Sequence, residues 1–328
     1  MAIFRCSKCG YVREVPDQHI GKTVKCPVCQ QVTPIHNTVA FVKTIVHKYF
    51  KVRTELRSLQ QSIPATNTTV EPRNDTTDID IYNTTVMTEK QQYEPIVKWF
   101  ESQQIQINVN EEAVDTTGFF DEVAVSLGDN YALLKILNDK IKRIQQKGYT
   151  NVTLDMSQYS QQDADSIKKF CKELHEYAFV AKYFDKRTEH KIHLVLQTAP
   201  AIVDFFKGVW LEWFAFMKLL AFCHEHKISF SGLRSFTIHF PDNTKNELDT
   251  FFLVNGTIPV FVECKSGEFR PFIDKYVQLR KKLNIDKAHC IMLVAGLSNE
   301  QAQGLTTTFD VTFVNEKNLI QHVAKLLT

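Results

Sequence analysis

The stretch NELDTFFLVNGTIPVFVECKSGEF, residues 246–269, constrains this chain more than any other segment. Two apolar runs joined by Asn255-Gly256 read as a β-hairpin, because Asn and Gly tolerate the left-handed backbone of a tight reversal. Asp249, Glu263 and Lys265 stand inside those apolar runs. Strand side chains alternate faces, so Glu263 and Lys265 point one way and Val262 and Cys264 the other. The turn decides whether Asp249 joins Glu263. A two-residue Asn255-Gly256 loop pairs Asp249 with Val262 and sends it to the opposite face. A three-residue Val254-Asn255-Gly256 loop with a bulge pairs it with Phe261, diagonal from Glu263. A functional grouping of the carboxylates predicts that looser turn, or a bulge elsewhere.

Burying two adjacent carboxylates costs several kcal/mol at least, unless a cation or an unusual protonation state offsets their repulsion. Mg²⁺ or Mn²⁺ suits such oxygen donors. The structural alternative is an ion pair of Lys265 with Glu263 or Asp249 at the sheet margin. A third carboxylate shifts the balance: in VWLEWFAFMKLLAF, residues 209–222, Glu212 and Lys218 are the only charges, and a glutamate between tryptophans is not an ordinary surface residue. Glu212 reaches Asp249 if its helix packs over the sheet.

The order of elements around these residues is helix, strand, the Asp249 strand, the Glu263-Cys264-Lys265 strand, helix and strand. With LD at 248–249 and ECK at 263–265 it resembles the PD-(D/E)XK nuclease superfamily. WLEWFAF, NELDTFFLVNG and VFVECKSGEF further resemble the nuclease domain of CRISPR-ancillary nucleases activated by cyclic oligoadenylate. The likeness covers about residues 199–300. It implies a restriction-endonuclease-like mixed sheet flanked by helices and a metal-dependent endonuclease of antiviral defence or nucleic-acid processing. The implied substrate is DNA, in some relatives also RNA. It further implies Mg²⁺ or Mn²⁺ held by Glu212, Asp249, Glu263 and the Cys264 carbonyl, with Lys265 orienting water or steadying charge. Gln278, on the helix after the ECK strand, stands where some members place a glutamine. The resemblance also implies a small nucleotide activator, yet the sensing domain of those relatives is replaced here by segments without a sensor fingerprint. A homodimer suits a cutter of two strands.

At the other end, CSKC and CPVC are separated by sixteen residues. This spacing brings the thiolates of Cys6, Cys9, Cys26 and Cys29 to one tetrahedral site, the pattern of a structural Zn²⁺ ribbon with no open coordination position, with disulfides or an iron–sulfur centre as the alternative reading. The segment also resembles a widespread zinc-ribbon type whose second knuckle reads GKxVxCPxC, a kind that binds nucleic acid or protein. Cys171, Cys223, Cys264 and Cys290 lie in apolar surroundings and read as buried thiols of a reducing compartment. Cys223, His224 and His226 come from a single helix end and read as core and helix-end residues, not metal ligands.

At 328 residues and 44% apolar composition the chain can bury more than one core. Charge interrupts its apolar runs and MAIFRCSK lacks a signal-peptide pattern, so a soluble, cytoplasmic protein without membrane contact is expected. Residues 1–60 hold ten Lys/Arg against three Asp/Glu, whereas 61–90 hold two against five. The basic end suits a phosphate backbone, or is simply a solvated face.

The expected organisation is a zinc ribbon (1–35), a basic amphipathic helix (36–60), a flexible Thr/Asn-rich linker (61–90), an α/β domain of unassigned role (91–198) and the PD-(D/E)XK nuclease-like domain (199–328). The middle region reads as helix (YEPIVKWFES), strand (QIQINVN), helix (YALLKILNDKIKRIQQKG), strand (NVTLDMS), helix (ADSIKKFCKELHEYAFV) and strand (KIHLVLQ), without a phosphate loop or nucleophile elbow. The competing function is a non-catalytic zinc-ribbon adaptor for nucleic acid or protein, built on a nuclease-like fold. Metal-dependent cleavage discriminates the two.

Overall fold

The computed structural model describes residues 2–37, 90–110 and 119–327, apart from Ser7 and Gly10. Two compact units divide near residue 73. The basic helix expected over 36–60 and the linker expected over 61–90 lie outside the described residues, except that His36 and Asn37 end a strand and Lys90 opens a helix.

The first unit carries β1 (Ala2–Arg5), β2 (Val12–Val15), β3 (Thr23–Lys25) and β4 (Val32–Asn37) in one antiparallel sheet of order β2-β1-β4-β3. Among the described residues its buried apolar cluster consists of Ala2, Phe4, Cys6, Cys26 and Ile35.

The second unit begins with α1 (Lys90–Glu101), β5 (Gln106–Asn108), α2 (Phe120–Asp129) and α3 (Tyr131–Gln146). Then come β6 (Asn151–Asp155), α4 (Gln161–Glu176), β7 (Val180–Lys186) and β8 (Lys191–Leu196). β6, β8 and β7 form an antiparallel three-stranded sheet. The helix expected to run to Val180 stops at Glu176, because Ala178 turns left-handed (φ 60°) and releases the chain into β7.

The helix that carries Glu212 is preceded by two further helical pieces, so the run is α5 (Pro200–Asp204), a π-helical turn (Phe205–Val209) and α6 (Trp210–Glu225). Gly208 departs from helical geometry inside that turn. Apolar residues surround α6, as in a helix buried on all sides; its Trp210, Leu211, Phe214, Ala215, Phe216 and Leu220 are fully buried. β9 (Phe230–His239), β10 (Lys245–Val254), β11 (Ile258–Lys265), α7 (Ile273–Lys282), β12 (Cys290–Val294), α8 (Asn299–Thr308), β13 (Thr312–Val314) and α9 (Leu319–Leu327) complete the chain.

The main sheet is mixed, in the order β13-β12-β11-β10-β9-β5. β11, β12 and β13 run parallel, and the other neighbours antiparallel. α1, α7 and α8 cover one face, where Phe100, Phe236, Phe251, Phe261 and Tyr276 share a core. α6 and α9 cover the other, and the core there continues into the α/β region through Phe179, Phe205 and Phe214. β5, expected with the middle region, pairs with β9 and so edges this sheet. The architecture is the expected one: an N-terminal cysteine cluster, an α/β middle and a mixed sheet flanked by helices. No helix among the described residues is long and apolar enough to cross a membrane.

Candidate functional site

The β10–β11 hairpin closes with Val254 opposite Ile258, so its loop is Asn255-Gly256-Thr257. Asn255 and Gly256 both have positive φ, 49° and 70°, and Thr257 N–H donates to the Val254 carbonyl at 3.1 Å. The looser three-residue turn therefore forms, but one position later than the Val254-Asn255-Gly256 loop that the sequence suggests. Thr250 consequently pairs with Val262, and the next step along the strands sets Asp249 level with Glu263, not diagonal from it. The β9–β10 ladder also omits Asp249 and its counterpart Ser235, whose φ is 51°. Freed from that pairing, Asp249 accepts a hydrogen bond at Oδ2 from the Cys264 backbone N–H, 2.8 Å away.

Glu263 is buried, and its Oε1 is paired with the Lys265 ammonium. The Lys265 Nζ also lies 3.3 Å from the Cys264 carbonyl and 5.2 Å from the Tyr276 ring centre. Tyr276, on α7, is the residue that helix turns toward Glu263; burial and the facing Glu263 carboxylate raise its phenol well above the ordinary value. Gln278 is exposed on the same helix, so the amide suggested by sequence is replaced at the site by a phenol. The Cys264 thiol is buried against the Leu211 carbonyl and burial pushes it well up, leaving only its backbone groups facing Asp249 and Lys265.

Glu212 enters from α6, one turn after the π-helical segment, a distortion common at functional sites. Its Oε2 accepts from Nη1 of Arg234 at 3.2 Å. Arg234, a β9 residue whose side chain is only 4% exposed, also lays its guanidinium 3.7 Å from the Trp213 ring centre. Sequence reasoning missed this arginine: in RSFTIHF it looks like a strand-end surface charge, and only the long-range pairing of β9 under α6 buries it.

Burial, and then Asp249, raise the carboxyl of Glu212 to about 8, even though Arg234 pulls it down. Burial and Asp249 likewise raise Glu263 to about 8 against the opposing pull of Lys265. Burial also raises Asp249, with Lys265 opposing. Burial works against the Lys265 ammonium, but Glu263 and Asp249 outweigh it and leave its pKa raised. Arg234 is lowered to about 10 by burial, which its partner Glu212 only partly offsets. These shifts describe three acidic groups crowded in a medium that solvates them poorly.

Glu212, Asp249, Cys264 and Lys265 line a cleft of about 440 Å³. Glu263 is not among its lining residues and is linked to it through Lys265. The Asp249 and Glu263 side chains also meet each other, whereas Glu212 is paired with Arg234. Among the described residues, the one gathering of three or more metal-competent side chains with ligand atoms all within 4.8 Å is Cys6, Cys9, Cys26 and Cys29.

That cysteine cluster is able to hold a metal ion. The Cys6 and Cys29 sulfurs are 3.4 Å apart and those of Cys9 and Cys26 3.6 Å, near the ~3.8 Å that follows from tetrahedral Zn–S bonds. The Val28 N–H points at the Cys26 sulfur from 3.4 Å. The Cys9 thiol, despite the Tyr11 N–H, is pushed up to about 12 by burial and the neighbouring sulfurs, whereas the Cys9 N–H lowers Cys6 to about 6, against burial. Such donors suit sulfurs that carry negative charge. Cys223 is buried, His224 is exposed, and His226 directs Nδ1 to the Phe222 carbonyl at 2.9 Å, so these three do not form a metal site.

No protein-family model and no curated protein matches this sequence. Among solved structures, the chain is similar to protein VC1899 from Vibrio cholerae, at 15% identity and a TM-score of 0.46 over 70% of this chain and 60% of that one. It is also similar to Can2 from Sulfobacillus thermosulfidooxidans, solved in complex with cyclic tetra-adenylate, at 14% identity and a TM-score of 0.48 over 70% of this chain and 59% of that one. The chain thus spans about three-fifths of the length of either protein, and likenesses of this size assign no activity.

Proposed function

We propose that the cleft at Glu212, Asp249 and Lys265 is the active site of a metal-dependent endonuclease that hydrolyses phosphodiester bonds of DNA, with RNA as the second substrate to test. The observation that carries this reading is that Glu212, from a helix, and Asp249, from a strand, line one cleft together with Lys265, whose ammonium is held by the buried Glu263. Repulsion and burial raise all three carboxyls, a destabilising arrangement that a divalent cation offsets. Their all-oxygen donor set fits Mg²⁺ or Mn²⁺.

Asp249, Glu263 and the Cys264 carbonyl would hold the cation together with Glu212, whose Oε2 is already engaged by Arg234. When bound, such an ion lowers the pKa of a coordinated water and offsets charge on the transition state. Asp249 is oriented for this by the Cys264 N–H. Lys265, anchored by Glu263 and lining the cleft, supplies positive charge to phosphate oxygens. In the ribbon, Zn²⁺ would fill the closed four-sulfur set and act structurally. Localisation in the cytoplasm, a homodimer and a small nucleotide activator belong to the same reading.

One observation favours the second reading, a non-catalytic adaptor: Arg234 and Lys265 already pair internally with Glu212 and Glu263. The deciding experiment incubates the protein with supercoiled plasmid and with single-stranded DNA and RNA, in Mg²⁺, Mn²⁺ or EDTA, beside Glu263→Ala. Cleavage that needs the cation and disappears in the variant supports the nuclease. Cation binding at the carboxylates without cleavage points to a missing activator. No cation binding there favours the adaptor.

A further inference from the structure

The cleft has a second chemical character that the carboxylates do not explain. Lys142 and Lys207 line it together with Lys265, and each comes from a different element: α3 of the α/β region, the π-helical turn before α6, and the end of β11. Lys142 is half-buried and forms no ion pair among the described residues. A half-buried lysine can cover apolar surface with its stem and present its ammonium to solvent. Lys207 has one partner, Asp204, at 2.9 Å, in a pair about half-exposed on both sides. A pair so exposed holds its lysine weakly and yields it readily to a more highly charged anion.

The backbone beneath Lys207 is fixed. Ser266 Oγ donates to the Lys207 carbonyl at 3.2 Å. The same oxygen would lie 2.8 Å from a Cβ on Gly208, so glycine permits the close approach of the turn to the end of β11. This contact fastens one cationic wall of the cleft to the strand that carries Glu263 and Lys265.

Resting on the nuclease reading above, we infer that Lys142 and Lys207 form a phosphate grip that holds the sugar–phosphate backbone of a nucleic-acid strand across the cleft. The α/β region is then part of the substrate-binding surface through Lys142. A polyanion with regularly spaced phosphates is the ligand this arrangement fits: one phosphate lies at the carboxylate centre and its neighbours meet ammonium groups supplied from two other elements. Contacts of this kind hold the backbone without reading its bases.

The test is the binding of fluorescent single- and double-stranded oligonucleotides by anisotropy, between about 50 and 200 mM salt. It is done in Ca²⁺ with the full chain, and compares the native sequence, Lys142→Gln, Lys207→Gln and the double variant. Lys172→Gln, at an exposed position of α4 outside the cleft, controls for charge loss alone. Each cleft variant is expected to weaken binding by about 3- to 10-fold and to lower the salt slope by about 0.7–0.9, with melting temperature unchanged and Lys172→Gln within about 2-fold. Cleft variants that bind no worse than Lys172→Gln, or a native chain that binds no oligonucleotide, overturn the grip. Plasmid cleavage separates this from the parent reading. A chain that cuts but whose binding ignores Lys142 and Lys207 keeps the nuclease and loses the grip. A chain that neither cuts nor binds a divalent cation at the carboxylates, but binds oligonucleotide through these lysines, keeps the grip and loses the nuclease.

Discussion

The Oδ2 of Asp249 accepts the backbone N–H of Cys264 at 2.8 Å, tying the carboxylate of one strand to the main chain between Glu263 and Lys265 on the next. The bond orients Asp249 without using its charge, because an amide oxygen can accept the same N–H. Asp249→Asn is therefore expected to fold and to melt within a few degrees of the native chain, while divalent-dependent plasmid cleavage falls about 100-fold or more. Thermal melts and a nicking time course on the same preparation check both halves. Retained cleavage would remove Asp249 from the centre.

The metal-free protein should become less stable as pH rises through neutrality. Glu212 and Glu263 each titrate near 8 in the folded chain, compared with 4.5 for an ordinary glutamate. Between those values the folded state holds more protons than the unfolded one, so stability is greatest below about 4.5–5 as far as these groups are concerned, and declines until about pH 8. Asp121, raised to about 6 by burial, adds to the decline in the lower part of that window. Melting temperatures in EDTA should drop by about 5 °C or more between pH 5.5 and 8. Mg²⁺ or Mn²⁺ should recover much of the loss at pH 8 by neutralising the carboxylates. A metal-free melting temperature that rises over that range would contradict the crowding described here.

What sequence could reveal about the site follows the range of the interactions. Glu263 and Lys265 share a face because strand periodicity is local, and Glu212 stands out because a glutamate among tryptophans is anomalous wherever the helix packs. The cysteine cluster is legible from spacing alone. The hairpin register is less so: the loop uses Thr257 instead of Val254, since Val254 fills the core beside Phe230 and Phe252, a packing preference that no turn rule contains. Arg234, Tyr276 and Lys142 are not legible at all, because each reaches the site through tertiary pairing of elements distant in the chain. Helix α2 and strand β7 escape for a related reason. Both lie where a left-handed residue, Phe119 or Ala178, sets the boundary, and neither residue type announces that conformation.

Arg234 and Glu212 should behave as one unit. Above about pH 8, where Glu212 is ionised, removing either charge leaves the other buried, whereas removing both leaves a packed, neutral locus against Trp213. Arg234→Met is expected to destabilise by about 3–5 kcal/mol, and Glu212→Gln combined with Arg234→Met by clearly less than the sum of the two single changes. Arg234→Lys should not rescue fully, because a lysine loses the planar stacking on Trp213. Urea unfolding of the four proteins of the cycle measures the coupling. Additive losses would mean that the pair carries no interaction energy of its own.

The N-terminal sheet should depend on its metal. Among the described residues Cys6 and Cys26 are two of the five in its buried apolar cluster, and the four sulfurs are already gathered within 4.8 Å. Without an ion, thiolates at that separation repel, and protonated thiols replace strong bonds to metal with weak hydrogen bonds. Purified protein is expected to carry one Zn²⁺ per chain at this cluster, released by a strong chelator or lost in Cys26→Ser. Amides of β1 and β4, including those of Phe4 and Ile35, should then lose their protection from hydrogen exchange. Metal content by mass spectrometry and exchange of the peptide covering residues 2–37 provide the two readouts. Protection that survives complete metal removal would show that the strands hold without it and would reduce the cluster to an accessory.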